Sequence, residues 1–216
     1  MCKIMELIEV FDELYEKYKN SITNISKTEN NNFIIFDINL IDFDDVAKDY
    51  ATKSNMPELS SVDAIDYKIV NNKLILYFYE FKKIDLLDRN ILAKNRLNDL
   101  FLEMKTFNDV PYVDELKDIK KGLLNKILVS LKIKPIESLF LLHRLIENKE
   151  LIDIEKHYYI VSQTPISFSY PLYSNKSNSR RKRRSKEIFD FIDKLSPFPF
   201  KQTGAIKEKM FLELVS

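Results

Sequence analysis

Apolar residues recur at helical spacing at the start of the chain. Ile4, Leu7, Ile8, Phe11, Leu14, Tyr15 and Tyr18 share one side of a helix expected from Ile4 to Lys19, and acidic residues fill the other. Ser21 to Asn32 is polar and rich in Asn and Ser, which predicts a loop. From Phe33 to Ile41 the β-forming residues return and predict a strand. Asp42 or Asp44 then offers a cap for a short helix through Tyr50. Two strands are expected next, Ser61 to Val70 and Lys73 to Ile84, joined by Asn71-Asn72. Asn tolerates positive φ, so this junction predicts a tight hairpin. The second strand is apolar on both parities from Leu74 to Tyr79, the mark of a strand covered on both faces.

Helical patterns follow at Asp85 to Lys105, Val113 to Lys132 and Ile136 to Glu147, with breaks at Asn108-Asp109-Val110-Pro111 and at Pro135. His157 to Ser162 reads as a short strand. A Pro/Ser/Asn-rich loop covers Thr164 to Ser179. A last helix, Ser185 to Leu195, is stopped by Pro197-Phe198-Pro199-Phe200. There are no internal repeats, and the order of elements predicts a mixed α/β domain.

Composition narrows the function classes. The chain has 216 residues, 45% hydrophobic and 31% charged, which suits one ordinary globular domain, or one with an appendage, and argues against a disordered chain. No apolar run reaches the roughly 18 residues of a membrane span. The start turns acidic by Glu6 without an apolar stretch, so no signal peptide is expected. The single cysteine, Cys2, excludes an internal disulfide framework and Cys-based metal clusters, and a cytoplasmic setting is expected. Only Gly122 and Gly204 are glycines, so no glycine-rich phosphate loop can be built. The histidines, His143 and His157, have no His or Cys partners at ligand spacing.

The chemistry gathers at the hairpin. Glu80 and Lys82 are two apart and share a strand face, with Leu74, Leu76 and Phe78 before them. If Asn71-Asn72 is a two-residue turn, Val70 pairs with Lys73, Asp63 falls opposite Glu80, and Ser61 falls opposite Lys82. A three-residue turn would bring Asp66 onto that face instead. Opposed Cβ atoms lie about 4.5–5.5 Å apart. Two carboxylates that close repel each other if both are ionised, and a cation between them relieves this. Hard oxygen ligands suit Mg²⁺, which binds one or two carboxylates and keeps several waters. Lys82 beside it could orient or deprotonate a water and offset charge on a phosphate. This points to a divalent-metal site for phosphodiester hydrolysis. The alternative is an ordinary charged strand end.

Asp63, a hairpin, then Glu80-Phe81-Lys82 resembles the D…(D/E)-x-K signature of the PD-(D/E)XK nuclease superfamily. The surroundings are similar: a leading helix at Ile4 to Lys19, the motif hairpin, helices, and a further strand at His157 to Ser162. The resemblance covers roughly Ile4 to Gln163. It implies an α/β fold with a restriction-endonuclease-like αβββαβ core and a mixed central sheet, with inserted helices between Lys82 and the fourth strand and a helical C-terminal extension. Residues 1–163 would form the nuclease-like domain, and 164–216 a basic loop and helical extension packed on it. The resemblance also implies Asp63, Glu80 and the Phe81 carbonyl as ligands of Mg²⁺ (Mn²⁺ as substitute), with Lys82 assisting the attacking water. DNA is the default substrate and a homodimer one implied assembly. Val62 stands where the family places Pro. Many members add an acid from the first helix. Here Glu6, Glu9, Glu13 and Glu16 fall on the far side of the apolar stripe, and Asp12 lies nearest its edge.

The run Arg180-Arg181-Lys182-Arg183-Arg184 is a second signal, a local positive field suited to phosphate backbones. It can also be read as a solvated helix entry or a localisation tag. Three functions follow: a metal-dependent nuclease, a catalytically inactive nuclease-fold protein that binds nucleic acid or protein, and a helical interaction protein.

Overall fold

A computed structural model describes residues 2–27, 32–82, 129–146, 151, 154–162 and 194–216. Its frame is a six-stranded mixed sheet in chain order. Strands β1 (Lys19–Ser21), β2 (Asn39–Asp42), β3 (Ala64–Val70) and β4 (Lys73–Lys82) form an antiparallel run. Strands β5 (Glu155–Ser162) and β6 (Gln202–Ile206) continue it in parallel. Helices α1 (Cys2–Tyr18), α2 (Ile22–Ile25) and α3 (Phe43–Ser54) precede the hairpin. Residues 129–145 are helical and are called α4; α5 (Glu208–Val215) ends the chain. No helix among the described residues is long and apolar enough to cross a membrane.

The β3–β4 hairpin sets the register on which the site depends. Asn71 and Asn72 both have positive φ, 51° and 59°, as a two-residue primed turn demands. Val70 therefore pairs with Lys73, and the ladder runs back to Ala64 opposite Tyr79. Asp66 faces Tyr77 in this ladder, so its side chain leaves by the face opposite Glu80.

Strand β4 lies between β3 and β5 and is buried on both sides. On one face Leu76 and Phe78 join Tyr158 and Ile160 of β5 under Leu7 and Phe11 of α1, Phe43 and Val46 of α3, and Leu131, Leu141 and Leu142 of α4. On the other face Tyr79 and Phe81 pack with Tyr159, Val161, Ile206 and the α5 residues Phe211 and Val215. The parallel step from β4 to β5 needs a crossover connection, and α4 lies within it on the first face.

Several elements differ from the sequence pattern. The expected loop from Ser21 holds α2, capped by Ser21, whose Oγ accepts from Asn24 N–H. The expected strand Phe33 to Ile41 is regular only from Asn39. Upstream, Thr23 and Ser26 hydroxyls take the backbone groups of Phe36 and Ile34 that a ladder would use. Asp42 is the cap of α3, which runs past Tyr50 to Ser54 and ends at Asn55 in the left-handed region. The break expected at Pro135 does not occur. Pro135 has no N–H for the Leu131 carbonyl; Tyr158 Oη of β5 donates to that carbonyl instead, at 2.8 Å. The C-terminal segment, expected to be helical, supplies the sixth strand. The expected helices over 85–105 and 113–128, the loop 164–179 and the helix 185–193 lie outside the described residues.

Candidate functional site

The β3–β4 register delivers Asp63 and Glu80 to the same place, at the C-terminal end of β4 on the α1–α3–α4 face. Asp63 stands one residue before β3, anchored by its carbonyl, which accepts from Phe43 N–H at 3.1 Å. Its Oδ2 accepts from Phe81 N–H at 2.6 Å. Glu80 is fully buried, with 0% side-chain exposure, while Lys82 beside it is 28% exposed. Lys82 Nζ donates to Glu80 Oε1. The three residues picked out by spacing therefore meet, and Phe81 enters through its amide.

A fourth residue completes the cluster. Lys134 of α4 places its ammonium 3.2 Å from Asp63 Oδ1 and 2.9 and 3.0 Å from the two oxygens of Glu80. Its side chain is 18% exposed and that of Asp63 15%. One nitrogen thus lies between the two carboxylates, where the repulsion argument requires a cation. Three contacts beside Lys134 pin α4: the Tyr158–Leu131 bond, Ser138 Oγ accepting from Val62 N–H at 2.9 Å, and Glu137 accepting from Ser60 N–H at 2.6 Å.

Asp44, in the first turn of α3, is the next acid. Ser61 Oγ donates to its carboxylate, so Ser61 serves Asp44 rather than Lys82. Burial holds the Asp44 carboxyl above its ordinary range, and the Asp63 charge adds to this. Asp12, the α1 acid nearest the stripe, accepts instead from Tyr67 Oη.

Electrostatics separate the roles. Burial pushes Glu80 up from the ordinary carboxylate range, Asp63 pushes it further, and Lys82 and Lys134 oppose both without cancelling them. For Lys134 burial works against the charged form, but the attraction of Glu80 and Asp63 outweighs it and holds the ammonium firmly protonated. Burial, then the same two carboxylates, keeps the Tyr158 phenol protonated, so it remains a donor to Leu131.

Sequence reasoning missed Lys134, yet a signal existed. Leu131, Lys134, Ser138, Leu141 and Leu145 recur at helical spacing on the inward side of α4. A lysine and a serine in such a stripe require polar partners, and here both find them on the Asp63 segment. The run Arg180, Arg181, Lys182, Arg183 and Arg184 lies outside the described residues.

Two carboxylates converge on one positive nitrogen, and Asp63 and Glu80 are the residues that could hold a hard divalent cation in its place. No family model, curated protein or solved structure matches the chain.

Proposed function

We propose that this protein is a Mg²⁺-dependent nuclease with a restriction-endonuclease-like core, hydrolysing phosphodiester bonds in nucleic acid, with DNA as the first substrate to test. The observation that carries the reading is the convergence of Asp63 and buried Glu80 on a single cation position, with Lys82 at the solvent side. The meander β2–β3–β4, the crossover through α4 and the parallel β5 support the fold part of the proposal.

Asp63 and Glu80 would hold the ion, with the Phe81 carbonyl as a further ligand. When bound, Mg²⁺ supplies Lewis-acid polarisation of the phosphate and a more acidic water. The Phe81 N–H fixes one oxygen of Asp63 and so orients the carboxylate. Lys82, paired to Glu80 but partly exposed, would orient the attacking water and offset charge gathering on the phosphate. The water oxygen bonds to phosphorus, one P–O ester bond breaks, and the departing oxygen takes a proton.

The test is cleavage of mixed DNA and RNA substrates with Mg²⁺ or Mn²⁺, comparing wild type with Glu80→Ala and Lys82→Ala. Each variant should lose on the order of 100-fold or more in rate, and EDTA should stop the reaction. Activity that survives in both variants would place the chemistry elsewhere.

Lys134 favours a second reading, a catalytically inactive relative that binds nucleic acid. In that protein the lysine would have taken over the metal's place for good. It predicts no turnover with any metal, and nucleic-acid binding lost when Arg180 to Arg184 are replaced by Ser.

A further inference from the structure

The way Lys134 is held points to an exchangeable ion. Each carboxylate it bridges has a second partner: Lys82 for Glu80, and the Phe81 N–H for Asp63. Withdrawal of the ammonium therefore strands neither group. The backbone around it is fixed by bonds at Leu131, Glu137 and Ser138. Only the four-carbon side chain has to move, and at 18% exposure it has a route to solvent.

We propose that Lys134 is the resident counter-ion of the Asp63–Glu80 pair and yields that position to a divalent cation, so that metal binding releases the ammonium. This rests on the metal-site reading above. A doubly charged ion held by both carboxylates would neutralise them better than a singly charged ammonium near 3 Å. Once it is present, Lys134 is repelled from the same space. The metal-free protein is kept folded by its own lysine, and the loaded protein gains a free cation at the edge of the site.

The experiment uses the full chain and two readouts. Wild-type protein is treated with acetic anhydride, with and without Mg²⁺, and acetylation is followed by mass spectrometry. Acetylation of Lys134 should rise several-fold with Mg²⁺, while exposed Lys17 and Lys53 stay constant as controls. Calorimetric titration should show Lys134→Gln binding Mg²⁺ about tenfold more tightly than wild type, equivalent to about 1.4 kcal/mol of removed competition. If Lys134→Gln does not fold, the wild-type labelling decides alone. Mg²⁺ binding that depends on Glu80, with Lys134 labelling unchanged or lowered, overturns the exchange and leaves the metal site standing. Absence of Mg²⁺ and Mn²⁺ binding, or binding unaffected by Glu80→Ala, overturns both.

Discussion

Along β4, Tyr77, Tyr79 and Phe81 go to one face of the sheet, and Phe78, Glu80 and Lys82 to the other. Both faces bury polar atoms, but in different ways. On the second face the buried polar atoms that β4 contributes are tips of rings, although the half-buried carboxylate of Asp66 on β3 also lies there. Tyr79 stacks between Tyr77 and Tyr159 at centroid distances of 6.3 Å each, with Phe211 edge-on at 4.9 Å. Its hydroxyl is buried with no partner among the described residues. On the first face β4 contributes ionisable groups, beside neutral hydroxyls from Tyr158 and Ser138 that have partners. Glu80 has no exposure at all, and it is met by two ammonium groups. A neutral hydroxyl left over beneath a well-packed ring is a modest cost. A buried ion cluster is a large one, and apolar residues of similar volume often stabilise as well or better. The fold would be served by apolar residues in place of the whole cluster, though not by the loss of Glu80 alone, which would leave Lys134 without its main partner. The charge concentrated on the first face is what the proposed chemistry would account for, whereas packing accounts for the aromatic face.

The comparison is sharpened most by pH. Glu80 has its folded pKa raised by burial and by Asp63. A carboxyl raised on folding contributes stability that is present below its unfolded pKa and lost as pH rises through the folded one. Metal-free wild type should therefore lose thermal stability relative to Glu80→Gln between about pH 4.5 and neutrality. Each tenfold difference in proton affinity between the folded and unfolded chain is worth about 1.4 kcal/mol, or roughly 3–6 °C in Tm for a chain of this length. Calorimetric Tm values for both proteins in EDTA across that range check it. Wild type gaining on the variant as pH rises would mean that Lys82 and Lys134 outweigh burial. Mg²⁺ affinity should climb over the same interval, since the ion competes with the proton on Glu80.

Part of this contrast is legible in the sequence. The Asn71-Asn72 turn admits few geometries, and a two-residue turn determines which residues oppose each other. Hence register alone groups Asp63, Glu80 and Lys82. No local rule groups Lys134 with them. It reaches the site because α4 packs across the sheet, and its distance from Glu80 in sequence carries no register. β1 and β6 escape for another reason: Lys19-Asn20-Ser21 and Gln202-Thr203-Gly204-Ala205-Ile206 are short and lack a period-2 pattern, and they become strands because β2 and β5 offer an edge. The Phe33 to Ile38 stretch errs the other way, because strong β-formers are claimed by the Thr23 and Ser26 hydroxyls.

On the aromatic face, Tyr79→Phe keeps the ring and deletes the unpartnered hydroxyl. It should be neutral or stabilising by about 1 kcal/mol, which raises Tm by roughly 2–4 °C. Cleavage should be unchanged, since Tyr79 faces away from Glu80. A clear fall in Tm would show that the hydroxyl has a bound water as partner, and would make the two faces more alike than the present contrast holds.

The smallest expected effect concerns which helix lends the site an extra acid. Asp12 of α1 bonds Tyr67, four residues along β3 from Asp63, a separation of roughly 13 Å at about 3.3 Å per residue. Asp44 of α3 instead feels Asp63 and Lys134 directly. Asn retains a side-chain oxygen to accept from Tyr67, so Asp12→Asn should shift Tm by less than about 2 °C and leave the Mg²⁺ dependence of cleavage where it was. Asp44→Asn should move that dependence to higher Mg²⁺, because it withdraws one negative charge from beside the ion. A Mg²⁺ titration of cleavage rate for both variants decides. If Asp12→Asn shifts the curve and Asp44→Asn does not, the acid comes from α1 across the sheet, and the charged cluster extends further along the first face than Asp44, Asp63 and Glu80 define.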